Sequence, residues 1–499
     1  MVQPFPRGQS VAIVGAGIAG LAAAFFLRAR GITVTVLEGS PRAGGKLVLA
    51  QVAGLTVDAG AEALLARRAE GIDLIGAVGL SGQLVAPGTT TASIWTRGAL
   101  RPLPRRQVMG VPADLDELAS TGILSAAGLA RAADDLQLPA TARSGDVSVA
   151  SQVGARFGQE LVDRLVDPLL GGVYAGRSQD LSFEATLPGL AAVSGQHRSL
   201  AAAAAALLPA QPGRLPGTPP PDTLPAPPPG QRPAPVFTTL AGGLGSLPPA
   251  LAAASGAAVR TGTMVRELAR TPRGWRLTTG SARAPQQLEA DAVILALPAR
   301  PAARLLAGLP AAAGAAAALA EIDYASMAVV TLAYPAGAFP QVPHGSGYLV
   351  PAVDGRAVKA VTFSTVKWPH LQAADGGALH LIRCSVGRAG EEAILQRADS
   401  ELVSLAAGDL AAAIGLRGQP VDALVTRWGG GLPQYNVGHL DRVARIRAGV
   451  AAQPGLAVCG AAYDGIGIPA CIATARLAAD QILAYLETGA ARPKASQAR

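Results

Sequence analysis

Three glycines with the spacing GxGxxG stand where an apolar run meets a helical pattern, and they are the first residues of the chain that could do chemistry. Gly15 follows the apolar residues 11–14, and Gly20 lies within the helical pattern. In such a turn the first glycine makes a tight bend, the second lets the backbone approach a pyrophosphate, and the third lets helix and strand pack closely. Amides at the helix start then hold the diphosphate. The residues predicted to contact it are Gly15, Ala16, Gly17, Ile18, Ala19 and Gly20.

A carboxylate follows at the distance that a nucleotide site requires. Glu38 ends the next apolar run, eighteen residues after Gly20, and it can accept hydrogen bonds from ribose hydroxyls there. The sequence therefore predicts that the chain binds the adenosine diphosphate half of a cofactor. The same carboxylate disfavours the 2′-phosphate of NADP.

The segment after Glu38 distinguishes FAD from NAD. It contains a second glycine pair at Gly44 and Gly45, and then an alternating pattern that predicts a hairpin turning at residues 53–54. An ordinary NAD domain does not need these features. The glycine pair would let a second backbone segment lie against the cofactor, and cationic side chains would face its phosphates. The residues predicted to contact FAD in this segment are Glu38, Gly39, Arg42, Gly45 and Lys46.

This composite, E-x3-R-x-G-G-[RK] followed by a hairpin and D-x-G, resembles the FAD-binding entry of the flavin amine oxidase and phytoene desaturase superfamily. In that superfamily the chain returns to FAD at its end. Residues 456–469 read as a strand, a glycine loop and a helix start, whose amides would face the pyrimidine edge of the flavin. The further FAD contacts implied by the resemblance are Gly60, Ala61, Glu62, Ala63, Val265, Ala461, Ile466, Gly467 and Ile468.

The middle of the chain narrows the resemblance. Residues 167–176 (DPLLGGVYAG) look like the porphyrinogen oxidase signature, and residues 432–439 (LPQYNVGH) match the same group. The resemblance is closest to the oxygen-dependent bacterial enzymes of Gram-positive type, which convert coproporphyrinogen III to coproporphyrin III in haem biosynthesis. It implies three two-electron oxidations in which hydride passes to flavin N5 and O2 leaves as hydrogen peroxide. No triad or carboxylate pair identifies a catalytic base.

Three alternatives remain open at this point. The nearest is protoporphyrinogen IX oxidase, because related enzymes often accept that substrate. A flavin amine oxidase is more remote, since the DPLLGGVYAG segment has no reason to be present in one. A non-catalytic flavoprotein that hands porphyrin to a chelatase in a haem-synthesis complex is the third.

The substrate side follows from the resemblance and from the charge of the substrate. Coproporphyrinogen has four propionates, so we expect a cationic rim; Arg67 and Arg68 lie where the group places basic residues, with a solvated helix face as the alternative. Two departures concern anchoring: Ala61-Glu62 replaces the proline and polar or basic residue frequent in relatives, and the propionate-binding arginine of the mitochondrial type has no counterpart near residues 92–93. The other substrate residues implied are Gly171, Gly172, Tyr348, Leu349 and Trp368.

Strand-like runs and helical patterns are mixed along the chain, which predicts an α/β (α+β mixed) architecture. We expect a Rossmann-like FAD-binding domain from residues 1–100, 236–300 and 425–499, interleaved with a helical domain at 101–210 and a mixed-sheet substrate-binding domain at 301–424. The helical part matches the membrane-associated surface of relatives. The predicted strands are residues 11–14, 33–37, 292–297, 328–333, 380–386 and 456–459, and the predicted helices are residues 20–30, 61–78, 114–137, 402–415 and 471–486.

Composition excludes several other classes of protein. The 499 residues are 50% hydrophobic and 15% charged, which argues against general disorder. The net charge of +8 comes without a basic run interleaved with aromatics, so nucleic-acid binding is not expected. Scattered histidines and three unpaired cysteines argue against a metal site and for a reducing compartment. We expect a cytoplasmic protein, with peripheral contact at the inner face of the membrane.

One segment is predicted to lie outside the folded domains. Residues 211–235 contain eleven prolines in 25 positions. Such density removes amide donors and favours extended polyproline conformations. We interpret this segment as a linker or disordered insertion.

Overall fold

The computed structural model describes residues 8–28, 30–140, 145–209 and 235–490. The proline-rich segment predicted at 211–235 therefore lies outside the described residues, apart from Pro235. The strands are β1 Ser10–Val14, β2 Thr33–Leu37, β3 Leu49–Val52, β4 Leu55–Asp58, β5 Leu64–Leu65, β6 Leu84–Val85, β7 Ser93–Thr96, β8 Ala99–Pro102, β9 Gln107–Val108, β10 Val111–Pro112, β11 Phe237–Leu240, β12 Ala258–Arg260, β13 Glu267–Thr271, β14 Gly274–Ser281, β15 Ala284–Ala290, β16 Ala292–Leu295, β17 Tyr324–Pro335, β18 Gly347–Leu349, β19 Val358–Phe363, β20 Leu379–Val386, β21 Asp422–Pro433 and β22 Leu456–Val458.

The α-helices lie between these strands along the chain, and the last of them follows β22. They are α1 Ile18–Arg28, α2 Ala69–Ala77, α3 Leu115–Thr121, α4 Ala126–Ala133, α5 Val149–Phe157, α6 Gln159–Leu161, α7 Asp167–Tyr174, α8 Phe183–Thr186, α9 Pro188–Ser194, α10 Leu200–Ala206, α11 Leu247–Ser255, α12 Ala299–Leu306, α13 Ala313–Ala320, α14 Ser364–Lys367, α15 Pro369–Ala373, α16 Asp399–Ile414, α17 His439–Ala451 and α18 Ile468–Ala490.

A five-stranded parallel sheet in the order β12-β2-β1-β16-β22 forms the centre of the nucleotide-binding part. Its strands come from the beginning, the middle and the end of the chain. Residues of α1, α11 and α18 pack against one face in a single apolar cluster, and residues of α12, α13 and α17 pack in a second cluster on the other face. Burial of both faces explains why β1 and β16 are apolar runs rather than alternating ones.

A seven-stranded mixed sheet, β21-β17-β20-β19-β18-β7-β8, forms the second layer. Its pairs are antiparallel except for β18 with β7. One face packs against α16 in an apolar cluster that includes Leu402, Ala406 and Leu410. The structure differs here from the boundary predicted at residue 100, because β7 pairs in parallel with β18 and thereby joins this sheet rather than the parallel one.

Helices α3–α10 form a third unit around their own apolar cluster. A π-helical turn, Val162–Val166, leads directly into α7. Inside this unit the Arg156 guanidinium pairs with the fully buried Asp135 at 2.5 Å (Nε to Oδ1). The carboxylate also accepts hydrogen bonds from the amides of Leu200 and Ala201 at the start of α10. Asp135 thus ties three elements together.

The predicted mixed α/β architecture is confirmed, and the differences lie in particular segments. The hairpin turns where expected, at Ala53 and Gly54, both with positive φ. The helix predicted over 61–78 begins only at Ala69, because residues 64–65 pair with β11. The helix predicted over 114–137 breaks at Gly122, which takes the left-handed conformation (φ 68°) and ends α3.

Candidate active site

The first glycine turn leaves open space at the start of α1. A Cβ on Gly15 would lie 2.3 Å from the carbonyl oxygen of Ala296, and one on Gly20 would lie 1.9 Å from the carbonyl oxygen of Gly15. A Cβ on Gly17 would meet no atom within 4 Å. The outer two glycines are therefore required by packing. The middle glycine faces space at a helix N-terminus, where a phosphate is favoured.

Glu38 stands at the end of β2 with both carboxylate oxygens engaged. Oε2 accepts from the amide of Ala16 and Oε1 from the amide of Ser40, each at 2.8 Å. The carbonyl of Glu38 accepts from Thr263 N at 2.7 Å, which places the loop before the buried Val265 beside it. Each carboxylate oxygen retains a further acceptor site, so Glu38 can still bind ribose hydroxyls.

The second glycine segment lies directly on the first, as the prediction of a second backbone segment requires. The amide of Gly44 donates to the carbonyl of Ala16 at 2.8 Å, and a Cβ on Gly45 would lie 3.3 Å from the Cα of Gly17. Arg42 behaves differently from expectation. Its guanidinium folds back onto its own loop and donates to the carbonyl of Gly45 at 2.9 Å.

Lys46 follows the second glycine pair directly. Its side chain is accessible to solvent, yet the surrounding protein lowers the pKa of its ammonium by desolvation, which the nearby Cys471 opposes. The backbone of Lys46 is equally constrained, because its carbonyl accepts from Ala61 N at 3.1 Å and would lie 1.9 Å from a Cβ on Gly60.

Glu62 forms an ion-pair cluster with Lys367 and Arg383, which come from the second half of the chain. Its carboxylate accepts from Lys367 Nζ at 2.7 Å and from Arg383 Nη1 at 2.5 Å. Arg383 Nη2 also donates to the carbonyl of Gly60 at 2.6 Å. Burial alone would raise the pKa of Glu62, but the two cations lower it to about 2. Glu62 is therefore ionised at neutral pH, and the cluster fixes residues 60–62 against the mixed sheet.

Glu62, Arg383 and Trp368 line a small cavity. Its volume of about 30 Å³ has room for water molecules and not for a tetrapyrrole. Asp58 also lines it, and desolvation raises the pKa of Asp58 to about 6 although Gly245 and Leu244 donate backbone hydrogen bonds to the carboxylate. Within the described part of the chain, four of its lining side chains carry a buried polar atom without a hydrogen-bond partner: Ser364 Oγ, Trp368 Nε1, His370 Nδ1 and Arg383 Nε.

The loop before α18 comes from the end of the chain and lies near α1, since a Cβ on Gly460 would be 3.9 Å from Cβ of Ala19. Ile466 is half-buried and Gly467 is exposed, and α18 begins at Ile468. The amide of Cys471 donates to the carbonyl of Gly467 at 3.0 Å, which closes the first helical turn. The amides before this turn have no partner inside the helix, so they are free to face an anionic edge.

The predicted substrate residues divide into two groups. Gly172 lies on α7, where a Cβ would be 3.3 Å from Leu349 Cδ2. Leu349 and Ile466 both pack partly buried against the helical cluster. Gly172 and Leu349 thus lie side by side, with Gly171 buried on the same helix, and Ile466 packs against the same cluster.

Tyr348 lies on the other face of the mixed sheet, because neighbours along a strand point in opposite directions. It is 3% exposed, belongs to the apolar cluster under α16, and its ring lies 6.0 Å from that of Phe363. The structure therefore corrects the expectation that Tyr348 lines the same surface as Leu349. Trp368 is also displaced from that surface, since it belongs to the small cavity.

Arg67 and Arg68 differ in their availability. Arg68 precedes α2 and donates from Nε and Nη2 to the carboxylate of Glu70, at 3.0 and 2.7 Å. Arg67 is exposed, and no carboxylate in the described ranges pairs with it. Of these two arginines, Arg67 is thus the one that can pair with a substrate carboxylate without breaking an existing ion pair.

The sequence did not predict the partners of Glu62. Lys367 and Arg383 lie more than 300 positions along the chain from it. The one available signal was Arg383 itself, a charged residue in the otherwise mainly apolar strand β20. Neither a metal cluster nor a membrane span emerges from the described ranges: no three His, Cys, Asp or Glu side chains converge there, and no helix has the length and apolarity for crossing a bilayer.

Comparison with known proteins places this chain in a family. The flavin containing amine oxidoreductase profile matches residues 18–483. A Bacillus subtilis protein named coproporphyrinogen III oxidase is 33% identical over 96% of this chain and 98% of its own length. A Mycobacterium tuberculosis protein of the same name is 37% identical over 97% and 99%.

A crystal structure from an Exiguobacterium species, described as a proposed protoporphyrinogen oxidase, superposes with a TM-score of 0.80 at 30% identity, covering 96% of this chain and 99% of the other. The open space at Gly17, the carboxylate of Glu38 and the amides before α18 fit FAD, the cofactor of this fold. The chain belongs to the flavin containing amine oxidoreductase family and groups within it with proteins named coproporphyrinogen III oxidase.

Proposed function

We propose that this FAD-dependent oxidoreductase converts coproporphyrinogen III to coproporphyrin III, using O2 as the electron acceptor. The observation that carries the proposal is the similarity over nearly the whole chain to proteins named for that reaction. FAD, when bound, supplies the two-electron chemistry. In each of three rounds the substrate loses a hydride and a proton, and one O2 takes up both as hydrogen peroxide.

The residues of this chain contribute binding and orientation. Gly172 and Leu349 lie side by side and offer an apolar surface against which a flat macrocycle can pack, and Ile466 would extend it to the loop predicted to hold the flavin. Exclusion of water from such a surface favours burial of an apolar ring system. The exposed Arg67 can pair with a propionate at the rim. Glu62, held by two cations, keeps the backbone of residues 60–62 in place.

Protoporphyrinogen IX is the second candidate substrate, favoured by the description of the Exiguobacterium structure. It has the same reduced macrocycle but fewer carboxylates. A surface that relies on a cationic rim should prefer coproporphyrinogen, whereas one that relies on the apolar surface alone should accept both. Handover of porphyrin to a chelatase and peripheral contact with a membrane surface belong to the same proposal and need separate binding measurements.

The test is aerobic turnover by purified holoenzyme with each porphyrinogen in turn. We expect fluorescent coproporphyrin III and three equivalents of hydrogen peroxide per porphyrin, with a higher kcat/KM for coproporphyrinogen III. The same protein with its FAD removed serves as the control for spontaneous oxidation. Production of neither porphyrin nor peroxide above that control, from either substrate, would refute the enzymatic proposal.

A further inference from the structure

Tyr435 closes the loop that precedes α18. Its hydroxyl donates to the carbonyl of Ala461 at 2.7 Å and accepts from the amide of Gly465 at 2.8 Å. The side chain is 2% exposed, and its ring stacks on that of His439 with centroids 3.8 Å apart and planes 13° apart. One buried hydroxyl therefore joins two backbone positions that lie four residues apart in an irregular segment.

His439 holds the middle of the same loop. Its Nε2 lies 2.9 Å from the carbonyl oxygen of Tyr463. Because a carbonyl can only accept, Nε2 carries the hydrogen. The ring is completely buried, and this burial lowers the pKa of His439, so the side chain is neutral at pH 7. Tyr435 and His439 thus contact the loop at three backbone atoms.

Tyr435 and His439, which we call the clamp, are also anchored in the helical unit. Gln434 Nε2 donates to the carbonyl of Tyr174, the last residue of α7, at 2.8 Å. The amide of Ser182 donates to the carbonyl of Tyr435 at 2.7 Å, and the rings of Tyr435 and Tyr174 have centroids 5.6 Å apart. The loop is therefore positioned relative to α7, which carries Gly171 and Gly172.

We propose that Tyr435 is a positioning residue that sets the place of residues 466–468 at the flavin edge through its hydroxyl. Its bond to Gly465 N lies next to these residues, because Gly465 directly precedes them. Gly465 has φ 144°, and a Cβ there would lie 2.7 Å from Cβ of Ala470. The free amides at the start of α18 act on a flavin only at short range, because the helix-end field falls off within about one turn. A displaced loop therefore weakens FAD binding and changes the flavin potential. The inference rests on FAD binding and is independent of the substrate.

The test compares Tyr435→Phe with Tyr463→Phe. Tyr463 is a matched control, since it lies in the same loop, is 1% exposed, and its buried hydroxyl has no partner within the described residues. Tyr435→Phe keeps the ring stacking and removes both hydrogen bonds, so we expect about tenfold weaker FAD binding and a shifted flavin midpoint potential. Tyr463→Phe should leave both quantities at wild-type values. Wild-type FAD affinity and potential in Tyr435→Phe would overturn the proposal, as would equal changes in the two variants.

A second measurement does not require the variant to fold. Hydrogen exchange on the wild-type holoenzyme should show the amide of Gly465 protected, because it is bonded to a buried hydroxyl. Exchange of this amide at the rate of an exposed loop would contradict the clamp. Neither readout depends on porphyrinogen turnover, so failure of the proposed function and failure of the clamp are separable.

Discussion

Replacing Gly17 by alanine should separate cofactor binding from folding. A Cβ at this position meets no protein atom within 4 Å, and Gly17 is not among the residues with positive φ. The apoprotein should therefore unfold with a free energy within about 1 kcal/mol of wild type, since alanine also restricts the unfolded chain. The added methyl group occupies the space in which we place the pyrophosphate. Overpacking by a methyl group costs about 1–3 kcal/mol, so FAD binding should weaken by up to roughly 100-fold.

Gly20→Ala is the matched control with the opposite outcome. Its Cβ would lie 1.9 Å from the carbonyl oxygen of Gly15 and 3.2 Å from Cβ of Ala296, so the turn or the helix must shift. Here we expect the apoprotein itself to lose about 1–3 kcal/mol of unfolding free energy. Urea unfolding of the two apoproteins, and FAD titration followed by quenching of flavin fluorescence, measure both effects. Wild-type FAD affinity in Gly17→Ala, or equal destabilisation of the two apoproteins, would refute the assignment.

Three further outcomes follow from the charged groups. Glu62→Gln leaves two cations without their carboxylate and should cost about 3 kcal/mol of unfolding free energy at pH 7. Because the folded pKa of Glu62 is depressed to about 2, the difference in unfolding free energy between variant and wild type should shrink as pH falls below 4.5. A pH-independent difference would contradict the ion-pair account. The pH dependence of stability should have the opposite sign for Asp58, because its folded pKa is raised to about 6. Relative to Asp58→Asn, wild-type apoprotein should lose stability as pH rises from 4 to 7. A gain in stability over this range in urea unfolding would contradict the prediction. Arg67→Ala should raise KM for coproporphyrinogen III several-fold with FAD retained. Arg68→Ala should change KM little, because the Arg68 guanidinium is bound to Glu70. Equal KM values for the two variants in steady-state assays would mean that Arg67 is a solvated surface residue without a role in substrate binding.

The sequence by itself determined the features that depend on neighbouring residues. The strand, glycine turn and helix around Gly15 are local, because a tight turn after an apolar strand leaves few backbone solutions. The hairpin at residues 53–54 is local for the same reason. The position of Glu38 follows from the length of α1 and β2. Each of these predictions needed only a short stretch of chain, so it could be made without knowing the fold.

Tertiary structure alone decided which distant groups meet. Glu62 is paired with Lys367 and Arg383 because β4 and the mixed sheet pack together, and no pattern around Glu62 specifies that packing. Tyr348 turned away from Leu349 because the register of β18 determines which face each residue takes, and a shift of one residue would reverse them. The contact of Tyr435 with the C-terminal loop also depends on the tertiary structure. Spacing along the chain does not determine which elements far apart in sequence come into contact.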